Sequence, residues 1–245
     1  MPSEHIVKSF DEALNRLDNI IAEMGGLAEA QLAEAIDVLV RRDGERAARI
    51  VDADSRIDAL ENEVDHQAVA LLALRQPMAD DLRVVISALK TSGIIERIGD
   101  YAKNVAKRTM TLSQLPPMSA AFTVARLGRL SQEMVKEVLD AYVARDVEKA
   151  ELVRQRDEEV DALYTSLFRE LLTYMMEDPR NITPCTHLLF VAKNLERIGD
   201  QATNIAEHVV FLVGGRTLAE DRPKGDNSSF TVVGPAASGG EAPRG

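Results

Sequence analysis

Glu96-Arg97-Ile98-Gly99-Asp100 is followed by Asn104, and one hundred residues later Glu196-Arg197-Ile198-Gly199-Asp200 is followed by Asn204. A five-residue string recurring at long, fixed spacing points to an internal duplication, and it extends well beyond the string. Towards the N-terminus Gly25 aligns with Gly128, Leu27 with Leu130, Glu34 with Glu137 and Asp37 with Asp140. Arg42-Asp43 aligns with Arg145-Asp146, Glu45 with Glu148, Asp54 with Asp157, and Asp58-Ala59-Leu60 with Asp161-Ala162-Leu163, all at an offset of 103. Near Pro77 and Pro179 the offset falls to 100, a length change of the kind that surface loops absorb.

Each copy reads as three helices. Ile50, Ile57, Val64 and Leu71 recur every seven residues, with Ala53, Leu60 and Leu74 between them, and Val153, Val160, Leu167 and Tyr174 repeat that seam. Such spacing marks a helix packed in a bundle. Breaks at Arg42-Asp43-Gly44, Gln76-Pro77 and Leu115-Pro116-Pro117 bound helices over 10–42, 45–75 and 81–112, then over 120–145, 147–177 and 181–213. At roughly 30 residues each would be about 45 Å long. Short connections make consecutive helices antiparallel neighbours. The predicted fold is therefore all-α: two tandem antiparallel three-helix bundles, 1–115 and 116–213. The remaining stretch, 214–245, is rich in Gly, Pro and Ser and is expected to be disordered.

Composition narrows the function. The chain has 245 residues, 45% of them apolar, 4% aromatic, and no Trp. The single Cys185 rules out a disulfide framework and a Cys-rich metal site, and suits a reducing compartment. No run approaches the roughly 20 apolar residues of a membrane span, and the first residues lack the apolar run of a signal peptide, so the expected location is cytoplasmic, without membrane insertion. A net charge of -11, with Lys and Arg scattered, disfavours nucleic acid.

The chemistry concentrates on paired carboxylates. On the third helix Ile98, Ala102, Val105 and Thr109 form one stripe; Glu96, Asp100 and Asn104 form another, about 200° away and hence expected to face outward. Glu196, Asp200 and Asn204 repeat it. On the second helix Asp54 and Asp58, and their counterparts Asp157 and Asp161, are also one turn apart. A solvated surface is one reading of these acids. Two features oppose it at the repeated pentapeptide: like charges at i, i+4 cost a few tenths of a kcal/mol, roughly, in a helix, and Gly99 and Gly199 each cost about 1 kcal/mol against Ala. The other reading is a hard-cation site. Oxygen-only donors on facing helices suit divalent or trivalent metal ions such as Mg²⁺, Mn²⁺ or iron. No Glu-x-x-His of the ferritin-like type is present, and His5, His66, His187 and His208 fall at unrelated positions. Glycine-rich nucleotide loops and G-x-S-x-G are missing too, and Cys185 lacks a paired His/Asn signature, so a catalytic role has little to build on. A helical-bundle metalloenzyme and a metal-free scaffold both remain open readings at this point.

The doubled ERIGD, with RQPMADDLR at 75–83 and LLTYMMEDPRNI at 171–182, closely resembles the PhoU family of phosphate-regulon regulators. The likeness covers about residues 10–213. It implies a cytoplasmic, non-enzymatic negative regulator of phosphate uptake and of the phosphate-starvation response. Its implied partners are the ATPase of the phosphate ABC transporter and a phosphate-sensing histidine kinase. It also implies that the family's Glu/Asp-x-x-x-Asp metal motif falls on Asp54 and Asp58, Glu96 and Asp100, Asp157 and Asp161, and Glu196 and Asp200, with Asn104 and Asn204 extending two of the stripes. A homodimer is compatible with the sequence.

Overall fold

The computed structural model describes residues 2–52 and 55–216. Ala53, Asp54 and residues 217–245 lie outside the described residues; of the stretch 214–245 expected to be disordered, Gly214 is instead the last residue of the final helix. Helix α1 runs Pro2–Arg41, α2 Gly44–Asp52, α3 Ser55–Arg75 and α4 Asp80–Leu112. Then come α5 (Ala120–Ala144), α6 (Val147–Glu177), a 3₁₀ turn at Pro179–Asn181, and α7 (Ile182–Gly214). No strand occurs among the described residues. The second predicted helix is thus described as α2 and α3, and the first begins eight residues earlier than its apolar pattern suggests.

The duplication extends to the turns. Arg42 and Arg145 both take a left-handed backbone, φ 59° and 55°, which ends the helix before them. The next amide reaches back over the last turn in each case, Asp43 N–H to Val38 O and Asp146 N–H to Ala141 O, both at 2.9 Å. This is the Schellman pattern, with Arg where Gly is usual. The following Asp then caps the next helix: Asp43 Oδ1 accepts from Arg46 N at 2.9 Å, and Asp146 Oδ1 from Lys149 N at 3.0 Å. One Arg-Asp dipeptide therefore closes one helix and opens another, twice.

Arg42 Nη2 donates to Leu112 O at 2.8 Å, so α1 and α4 end together. A β-carbon on Gly44, at the start of α2, would stand 2.6 Å from Ser113 Oγ, just beyond the end of α4. The path is thus up, down, up. The seam residues Ile50, Ile57, Leu60, Val64 and Leu71 are buried, as are Val153, Val160 and Leu167. Leu74 departs from the heptad expectation: it is 79% exposed, one residue from the end of α3.

The halves do not stand apart. Helix α4 packs against α7 and α1 against α5, and one apolar cluster runs from Leu17 and Ile21 through Ile95 and Ile98 to Val138, Leu167, Ile198 and Val209. The two bundles thus bury their apolar faces partly against each other. No helix among the described residues is long and apolar enough to cross a membrane.

Candidate functional site

Helices α3 and α4 carry the first acid set. Asp58 and Asp100 are exposed, and Glu96 and Asn104 half-buried. One turn further along α3 than Asp58 is Glu61, an acid that the repeated spacing does not single out. A β-carbon on Gly93 would stand 3.4 Å from its Oε1, so α4 leaves room for this carboxylate where it has no side chain of its own. Burial pushes the Glu61 carboxyl above its ordinary range; Asp65 and Asp58 push the same way, and Arg97 opposes them. Asp54, the remaining residue of this set, lies outside the described residues.

The second set, on α6 and α7, is different. Asp157, Asp161 and Glu196 are only 2%, 3% and 5% exposed, and Asp200 and Asn204 are half-buried. The expected outward stripe is corrected here: these acids face the seam between α6 and α7. The cause is packing at Gly199, where a β-carbon would stand 3.3 Å from Val160 Cγ1 and 3.5 Å from Asp157 Oδ1. The missing side chain lets α6 close over the pentapeptide without Val160 having to give way.

Buried charge requires a counter-charge. Lys193 Nζ donates to Glu196 Oε1 at 2.9 Å, and the same ammonium lies 4.9 Å from the centre of the Tyr164 ring. Positions 157, 161 and 164 share one face of α6, and 193, 196 and 200 share one face of α7. A lysine and a tyrosine thus complete the acid stripe of the second half. Lys193 and Tyr164 are the residues sequence reasoning missed. The signal was available three residues before the repeated pentapeptide, where the copies read Gly93 and Lys193.

Among the described residues no group of three or more His, Cys, Asp or Glu side chains is disposed to hold a metal ion. The donors nevertheless differ in how they would suit a hard cation. The first set consists of oxygen donors, with a carboxylate set against the bare backbone of Gly93, and its chemistry fits such an ion. The second also consists of oxygen donors, one of which already accepts from the Lys193 ammonium.

Other chemistry finds no support. Cys185 is buried beside Met118, and burial and then Glu170 raise its thiol pKa, the wrong direction for a nucleophile. One indentation of about 330 Å³ lies between α1 and α3, lined by Ala13, Gln67 and Leu74, and a smaller one of about 110 Å³ at the Pro116-Pro117 junction. Neither is lined by the paired acids.

These features define a class: duplicated helical-bundle proteins whose polar chemistry is built on carboxylate pairs repeated between the copies. Residues 21–109 and 124–209 each match the PhoU domain, and the chain belongs to the PhoU family. It is 55% identical over 227 residues to a Xylella fastidiosa protein, covering 93% of this chain and 94% of that one. It is 53% identical over 225 residues to one from Caulobacter vibrioides, covering 91% and 98%. Both relatives are named phosphate-specific transport system accessory protein PhoU homolog. The crystal structure of PhoU from Pseudomonas aeruginosa superposes with a TM-score of 0.82 at 40% identity, over 84% of this chain and all of that one. That of the phosphate transport system regulatory protein PhoU from Streptococcus pneumoniae gives 0.79 at 30%, over 86% and 100%.

Proposed function

We propose that this chain is a cytoplasmic accessory protein of phosphate-specific transport, which restrains phosphate uptake and the phosphate-starvation response when phosphate is plentiful. It acts by protein contacts with the ATPase of the phosphate ABC transporter and with a phosphate-sensing histidine kinase, without catalytic turnover. The observation that carries this is family membership across both bundles, with relatives above half identity that are named as accessory proteins of that transport system.

The carboxylate pairs are part of the reading. Asp58, Glu96 and Asp100, together with Asp54, are proposed to hold Mn²⁺, Mg²⁺ or iron on the first half. Asp157, Asp161, Glu196 and Asp200 are the corresponding donors on the second, and Asn104 and Asn204 are neutral oxygen donors one turn further on. A bound cation would offset the mutual repulsion of carboxylates, which for a pair at about 4 Å and effective ε of about 20 amounts to about 4 kcal/mol.

Deleting the gene in its host and assaying a phosphate-starvation promoter in phosphate-rich medium tests the role. Expression should switch on, and the intact gene supplied in trans should switch it off. Unchanged expression in the deletion strain would remove the regulatory reading.

A further inference from the structure

Three cations rest on aromatic rings across the seam between α4 and α7. Lys90 Nζ of α4 is 5.9 Å from the centre of the Phe211 ring of α7, and Arg108 Cζ of α4 is 4.4 Å from that of Phe190. The third contact runs the other way, with Arg197 Cζ of α7 5.9 Å from the ring centre of Tyr101. Positions on α7 fall as those on α4 rise, so the two helices are antiparallel, and 90, 97, 101 and 108 share one face of α4. Lys90, Arg197 and Phe190 are exposed, and Arg108, Tyr101 and Phe211 half-buried, so the crevice opens outward.

The chain has 40 acids against 29 Lys and Arg, and its other arginines find carboxylates, as Arg145 does in Asp18 and Arg156 in Glu137. Lys90, Arg108 and Arg197 make no ion pair among the described residues. No acid stands on this face of α4 at 94, 97, 101 or 104, nor on α7 at 190, 194, 197, 201, 204 or 208. Of the two pentapeptide arginines, Arg97 offsets Glu61 on the α3 side, whereas Arg197 lies over Tyr101. A ring takes the flat face of a guanidinium and leaves the N–H donors at its edge free. Those donors are the ones that grip a carboxylate bidentately.

We propose that the crevice between α4 and α7 is the docking surface for an acidic α-helix of a protein partner, whose carboxylates at i, i+7 and i+18 meet Arg108, Arg197 and Lys90. Arg197 is level with Tyr101, so the three cations are spaced about 10.5 Å and then about 16.5 Å along α4. A helix laid alongside has the same rise, and its positions i, i+7 and i+18 fall within about 20° of one line. The rings of Phe190 and Phe211 offer apolar contact between the charges. Cations about 10 Å or more apart cannot converge on one small anion such as phosphate. A flat anionic membrane would also face Asp58 and Asp100, both exposed, and a net charge of -11; a narrow helix in the crevice avoids those acids. The proposal goes beyond the contact reading above by giving a surface and the chemistry of what covers it, and rests on that reading only in that the chain acts by binding proteins.

Fluorescence anisotropy with labelled peptides and the full chain tests this, at an ionic strength of about 0.05 M where screening is weak. The probe is an alanine- and glutamine-based helix of about 24 residues, with Glu at i, i+7 and i+18 and Leu at i+4 and i+14. One control carries Gln for the three Glu, and a second keeps three Glu but spreads them around the helix. The parent should bind the probe at least about tenfold more tightly than either control. Lys90→Gln/Arg108→Gln/Arg197→Gln should bind all three peptides alike, and Arg108→Lys/Arg197→Lys, which keeps the charge without the bidentate edge, should fall between. Circular dichroism checks that the variants are helical, and Lys90→Gln/Arg108→Gln replaces the triple variant if that does not fold.

A parent that binds probe and controls equally, or a triple variant that still prefers the probe, overturns the proposal. So does a parent that ignores the probe but sediments with phosphatidylcholine–phosphatidylglycerol vesicles through the same three residues, which would make the crevice a lipid contact. Neither failure touches the regulatory role, which the deletion strain tests separately, and an unchanged deletion strain would leave a positive peptide result standing.

Discussion

Leu139 of α5 lies directly over Gly25 of α1, its Cδ2 2.9 Å from the point where a β-carbon on Gly25 would stand. The reciprocal contact is also present. Ile36 of α1 lies over Gly128 of α5, with Cγ1 3.0 Å from the corresponding point. Gly25 aligns with Gly128 and Ile36 with Leu139 at the same offset of 103, so the halves meet here through two copies of one contact, exchanged between helices. Glycine is kept at both places because the partner's side chain fills the space its own would need.

Adjacent glycines make this testable within one helix. Gly26 is exposed, with nothing within 4 Å of its β-carbon position, so Gly26→Ala should stabilise by about 0.5–1 kcal/mol. Gly25→Ala and Gly128→Ala gain the same propensity but overpack the seam at about 1–3 kcal/mol. Urea unfolding should show Gly26→Ala more stable than the parent and the other two less stable. Trimming Leu139 to Val should recover part of the loss in Gly25→Ala alone. Equal behaviour of Gly25→Ala and Gly26→Ala would remove the close-contact explanation.

The repeated Arg-Asp turns predict matched costs. Asp43→Ala and Asp146→Ala each delete one N-cap acceptor of nearly identical geometry, and each should lose about 1 kcal/mol. The Asn variants should stay close to the parent. Thermal melts of the four proteins suffice, and a cost at only one of the two turns would show that their equivalence ends at the backbone.

The acid sets should respond unequally. Glu196→Ala removes a buried acceptor of the half-buried Lys193 ammonium and should cost about 1–3 kcal/mol, whereas Glu96→Ala, on the half-buried face of α4, should stay within about 1 kcal/mol. Adding Lys193→Met to Glu196→Ala should recover part of the loss, since the ammonium that lost this acceptor is then gone. Additive losses in that double variant would show that the two side chains do not act as a pair.

Much of the fold was legible because duplication supplies two readings of every helix. The heptad seam was right at Val64 and Val160, and the Arg-Asp breaks fell where the turns are. Leu74 misled because seven-residue spacing shows which side of a helix is apolar, but not where the covering helices stop. The acids misled for a related reason. An angular offset from one stripe says "outward" only while the helix has a single neighbour, and α7 packs against α4, α5 and α6 together. Glu196 and Asp161 therefore lie in a second seam that a helical wheel cannot show. Lys193 lay outside the repeated string, and its meaning depends on Tyr164 lying opposite.

The contact between α4 and α7 should weaken in mild acid, through His208. This residue sits on α7 with Nδ1 3.4 Å from Thr91 Oγ1 of α4, and the Lys90 ammonium is close by. Burial, reinforced by Lys90, brings its pKa from 6.5 down to about 4. The unfolded chain accepts a proton on His208 as the pH falls below 6.5, while the folded chain declines it until about pH 4. The stability contributed by the neutral ring is thus complete above pH 6.5 and drains away between 6.5 and 4, by up to about 3 kcal/mol at the standard 1.36 kcal/mol per unit. His187, lowered by burial and by Arg108, adds a change of the same sign, so His187→Gln serves as the control. Urea unfolding at pH 7.5, 6 and 5 should show the parent losing stability through this window and His208→Gln losing clearly less. Carboxylates paired in the fold, such as Asp37 and Asp178 with their pKa lowered first by hydrogen bonds from Arg41 and Arg180, give way only at lower pH and do not confuse the comparison. Parallel pH profiles for the parent and His208→Gln would mean that the ring accepts its proton within the folded seam at no penalty.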